Sequence, residues 1–173
     1  MATLASKLGK SYGKVQDQVR IKTITIEIGN TKFDLKVRIP LKAEMEQMLE
    51  RISLPSEDRV QKVYEKLSKP VLDSIKEGGD DFVNALNSEK EMVRITDNDV
   101  ILDGNSIRQV AQFTAISENR VEEYFHLLQS EVGEPINETF DQIAEEFPEP
   151  VIKQIIEAIE GAIRPDYKNT KKN

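Results

Sequence analysis

The stretch from Ser106 to Leu128 has the spacing of a DNA reader and the wrong charge for DNA. Ser106-Ile107-Arg108-Gln109-Val110-Ala111-Gln112-Phe113 reads as a short capped helix, Thr114-Ala115-Ile116-Ser117 as a turn, and Glu118 to Phe125 as the start of a second helix. Val110, Ala111, Ala115, Ile116, Val121 and Tyr124 fall where a helix-turn-helix packs its two helices, with Ala115 at the tight turn. The face that would enter the major groove shows Ser117, Glu118, Asn119, Glu122 and Glu123. Carboxylates aimed at phosphates repel DNA, because affinity for DNA comes largely from Lys and Arg neutralising phosphates. The segment is therefore expected to be a helical hairpin packed in a core.

Other constellations offer less. His126 is the single histidine. Set between Phe125 and Leu127, it has the company of a structural residue and no second histidine with which to hold a metal. Asp97-Asn98-Asp99 with Asp103-Gly104 faintly matches a calcium loop. Ile101 stands at a ligand position, Leu102 replaces the turn glycine and no Glu closes the loop, so a turn is expected. Gly78-Gly79 has no following Lys-Ser or Lys-Thr to make a phosphate loop, and there is no Gly-x-Ser-x-Gly elbow. With no cysteine there is no disulfide, thiol nucleophile or thiolate zinc site. The expectation is no catalytic residue, no cofactor and no metal. Glu122-Glu123 and Glu145-Glu146 read as solvated helix faces.

The elements that carry these residues follow from pattern. Ile24, Ile26 and Ile28 alternate with Thr23, Thr25 and Glu27; Phe33, Leu35, Val37 and Ile39 alternate with Lys32, Asp34, Lys36 and Arg38. Gly29-Asn30 between them is a two-residue hairpin turn. Each strand has one apolar face, so the hairpin must be covered, either internally or by pairing edge to edge with a second copy. Beyond Pro40 the spacing is mostly helical. Leu41, Met45, Met48, Leu49 and Ile52 make one stripe. Ser56 caps a helix with Val60, Val63, Tyr64 and Leu67. Pro70 starts or kinks a further turn that Gly78-Gly79 stops. Val100-Ile101-Leu102 is a short strand or a buried turn. Helices bearing Ile136, Phe140, Ile143 and Phe147, then Val151 to Ile163, complete the pattern.

The fold expected is mainly α with an N-terminal β-hairpin, an α+β chain with a compact helical domain and flexible basic termini. Residues 1–19 are read as a flexible basic arm, 20–40 as the hairpin, 41–131 as a helical core domain, 132–163 as C-terminal helices and 164–173 as a disordered tail. The 173 residues are 38% hydrophobic and 32% charged, with a net charge of −7. Residues 1–22 hold five cations against Asp17, and 164–173 hold four against Asp166, which leaves −14 for 23–163. An acidic body with a pI near 4.9 argues against nucleic acid as a partner. No apolar run reaches the roughly 20 residues that span a bilayer. Residues 1–7 lack the apolar core of a signal peptide, so a cytoplasmic protein without a membrane partner is expected.

The C-terminal helices offer the broadest apolar stripe. Ile152, Ile155, Ile156, Ile159 and Ile163, with Phe140 and Phe147, either pack on the chain's own core or dock on another protein as a helix in a groove. They are the candidate partner-binding residues.

Three stretches together resemble the tail assembly chaperones of long-tailed, siphovirus-type bacteriophages. They are the basic arm and hairpin running into Val37-Arg38-Ile39-Pro40-Leu41-Lys42-Ala43-Glu44-Met45-Glu46, the acidic helical middle with Val60-Gln61-Lys62-Val63-Tyr64-Glu65-Lys66-Leu67, and Val100 to Arg108 running into Tyr124-Phe125-His126-Leu127-Leu128. The likeness is one of layout, over roughly residues 20–130. It implies a non-enzymatic protein of the host cytoplasm that binds the long, helical tape measure protein and keeps it soluble until the tail tube protein polymerises around it. It also implies a longer form made by ribosomal frameshifting, and Lys171-Lys172-Asn173 can be encoded by an A-rich slippery run. Self-association into a homo-oligomer is compatible with this reading. The alternatives are a helix-turn-helix regulator, an enzyme with unrecognised carboxylates, and another phage structural or scaffolding protein.

Overall fold

The structure is a computed structural model and describes residues 3–164. It is an α+β chain, mainly helical, with an N-terminal hairpin and small sheets. By contacts the chain divides into two compact units, Met1–Leu49 with Val121–Asn173, and Glu50–Arg120. The expected division into a hairpin, a 41–131 core and separate C-terminal helices is thereby redrawn: hairpin and C-terminal helices share one unit.

In the first unit, the residues expected to be a loose arm form helix α1, Leu4–Val19. The Thr3 hydroxyl accepts the Ser6 N–H at 3.2 Å and caps it. Gly9, at φ 68, interrupts the helical backbone in a conformation that favours glycine. Strands β1, Ile21–Ile28, and β2, Thr31–Arg38, pair antiparallel through the Gly29-Asn30 turn. The register sets Ile24 opposite Leu35 and Ile26 opposite Phe33. A third strand, β6, Leu128–Gln129, lies on the far side of β2, with Leu128 opposite Val37. Directly opposed residues share a face, so Ile24, Ile26, Leu35, Val37 and Leu128 form one apolar surface.

Helix α6, Glu149–Ile163, packs against β1, and helix α5, Phe140–Glu146, precedes it. Two polar clamps fix α6 antiparallel to the strand. Gln154 Nε2 donates to the Glu27 carbonyl at 2.7 Å, and Lys22 Nζ donates to the Ala162 carbonyl at 3.0 Å. Thr139 and Gln142 form a reciprocal capping box at the start of α5. Ile136, expected on that helix, precedes it.

Helices α2, Lys42–Ser53, and α4, Ile107–Phe125, each cross the division between units. The second unit otherwise holds α3, Glu57–Leu86, and three short strands, β3 Val93–Ile95, β4 Val100–Leu102 and β5 Asn105–Ser106. These strands form an antiparallel sheet in the order β3-β4-β5. Ser56 caps α3, its hydroxyl accepting the Arg59 N–H at 3.2 Å. Pro70 lies inside α3 and does not end it; the single non-helical residue is Gly79, at φ 65.

The expected helical hairpin over 106–131 is corrected: residues 107–125 are one helix. Thr114 to Ser117 contains neither Gly nor Pro. Ala111 and Ala115, one turn apart, are both fully buried beside Val60 and Val63, with Tyr64 and Leu67 against them. Ala111 and Ala115 share one face of α4 with this cluster, so the apolar period carries straight through the supposed turn.

Candidate partner-binding surface

The candidate residues of α6 are spent on the protein's own core. Ile152, Ile155, Ile156 and Ile159 are 7, 3, 8 and 0% exposed, and Ile163 is half-buried. Their 3.6-residue period lays them on the apolar face of the hairpin sheet. Phe140 and Phe147 are half-buried, and the Phe147 ring stands 6.4 Å from that of Phe125, tilted by 55°. As folded, this stripe is not offered to a partner; a partner could reach it only by displacing α6.

A different helix of the same unit offers what α6 does not. On α1, Leu4, Leu8, Val15 and Val19 are 73, 52, 41 and 63% exposed, and no residue of the helix is buried. Leu4 and Leu8 lie one turn apart before the break at Gly9, and half-buried Tyr12, Val15 and Val19 share one helical face after it. What holds α1 lies at its C-terminal end. Asp17 pairs with Arg38 at 3.7 Å. Just beyond, Arg20 Nε donates to the Ile39 carbonyl at 3.1 Å, and its guanidinium pairs with Glu44. Glu44 is held below the usual glutamate range, chiefly by the Leu41 N–H donating at 2.7 Å and, against some opposition from burial, by Arg20 and Arg38. Spacing within 10–19 could have revealed the longer part of α1; Gly9 does break the helix, whereas Gly13 only reads as a breaker.

On the polar side of the sheet, a cleft of about 550 Å³ lies between the end of α1, Lys36 and Arg38, and the loop from Glu131 to Gly133. Its walls mix both charge signs, and Arg38 already has Asp17, so it selects no ligand by charge.

The acidic residues have structural work. Asp99 accepts the Val100 N–H at 2.8 Å, the Arg108 N–H at 3.0 Å and the Ser106 hydroxyl. Burial pushes its pKa up, but Ser106, the two N–H groups and the Arg108 charge outweigh this and hold it below the usual range. Asp99 thus fastens the start of α4 to the strand that leads into it. Arg108 completes the arrangement by donating to the Asn98 carbonyl at 2.7 Å and lying 4.1 Å from the centre of the Tyr64 ring. Asp103-Gly104, at φ 47 and 79, is the two-residue turn between β4 and β5. The faint calcium pattern is therefore turn and cap chemistry.

Glu122, read as solvated, accepts the Phe140 N–H at 2.7 Å and serves the exposed start of α5. His126 Nε2 lies 3.3 Å from the Glu138 carbonyl. Among the described residues no group of three or more His, Cys, Asp or Glu side chains is arranged to hold a metal ion, and no helix is long and apolar enough to cross a membrane. Lys171-Lys172-Asn173 and the rest of 165–173, read as a disordered tail, lie outside the described residues.

No family model, curated protein or solved structure matches the chain.

Proposed function

We propose that this protein is a non-catalytic assembly chaperone of the phage tail kind. It binds the tape measure protein in the host cytoplasm and keeps it soluble until tail tube protein polymerises around it. The observation that carries the reading is the apolar stripe of α1, held in water by a unit whose own core is already filled by α6. Exposed apolar surface of this sort is a liability unless a partner covers it. A long helical client presents the matching apolar surface before assembly. The acidic body, −14 over residues 23–163, supplies the charge that keeps such a complex dispersed. The layout resemblance described above names the client. The regulator alternative was drawn from two helices joined at 114–117, where a single helix runs.

The test is co-expression with a phage tape measure protein. The reading requires that protein to move from the insoluble to the soluble fraction and to copurify with this chain. If it stays insoluble, or is soluble without this chain, the reading fails.

A further inference from the structure

We draw no further inference here: the strongest candidate, the exposed apolar face of helix α1, is broken at Gly9, and nothing in the structure shows what covers it.

Discussion

Helices α1 and α6 belong to the same unit, both lie beside β1, and both carry a one-sided apolar stripe, yet their stripes have opposite fates. Ile159 of α6 is fully buried, whereas Leu4 of α1 is 73% exposed. The sheet explains the asymmetry. A two-stranded hairpin with alternating residues has one apolar face, and one helix is enough to cover it. The other face shows Thr23, Thr25, Lys36 and Arg38 with Ile21 its one isoleucine, which gives a second amphipathic helix little apolar surface to lie on. Amphipathicity therefore states that a face needs covering, without stating what covers it. The stripe richest in isoleucine belongs to the core, and the sparser one is left for another molecule.

Mutation of the buried stripe should have the largest effect. Ile159→Ala removes a fully buried side chain between α6 and the sheet and should cost about 2–5 kcal/mol, read as a drop in denaturant midpoint. A loss no greater than that of a surface substitution would mean that α6 is not seated as described, and the contrast with α1 would collapse. A smaller effect is expected at the polar clamp. Gln154→Ala removes the donor to the Glu27 carbonyl and should cost about 0.5–1.5 kcal/mol. Faster amide exchange confined to β1 and α6 would tie that loss to the helix–strand contact; uniform change across the unit would not.

The two fates were unequally legible in the sequence. The hairpin was readable from its alternation and Gly29-Asn30, because period and turn agree at every position. The isoleucines of α6 were readable as a stripe but not as core, since the sheet that buries them lies more than 120 residues away. Strand β6 was hidden because two residues are too short to show a period, and its pairing is set by β2. The false turn at 114–117 came from weighing local spacing above the buried alanines, whose burial against α3 leaves no local mark. Helix α1 was missed for the opposite reason: Gly9 does break the helical backbone, as its type suggested, but helix resumes beyond it and runs through Gly13, behind a good cap at Thr3. Glu122 and Asp99 could not be recognised as caps, because a carboxylate on a surface and one on a helix start look alike until the fold brings them together.

Acid should separate the anchored end of α1 from its exposed stripe. Glu44 has a lowered folded-state pKa, so its contribution is fully present above the ordinary glutamate value and is lost as pH falls through the lowered one. Glu44→Gln should therefore lower the melting temperature at neutral pH, and the gap from the parent should close in acid. A gap that persisted unchanged below the glutamate range would show that the carboxylate's charge is not what ties Arg20 and the Leu41 N–H together.

The smallest effect is the one that completes the comparison. Leu8 and Val15 touch too little of the protein for their truncation to leave a cavity, so Leu8→Ala and Val15→Ala should each change stability by less than about 0.5 kcal/mol. Ala is also at least as good a helix former as Leu or Val, which works against any loss. The measurement is equilibrium denaturation of each variant beside Ile159→Ala. A cost of about 2 kcal/mol or more at Val15 would mean that α1 is packed in solution, against its own unit or a second copy. Neutral variants would leave α1 as surface that the fold itself does not need, which is the condition under which a stripe can be kept for a partner.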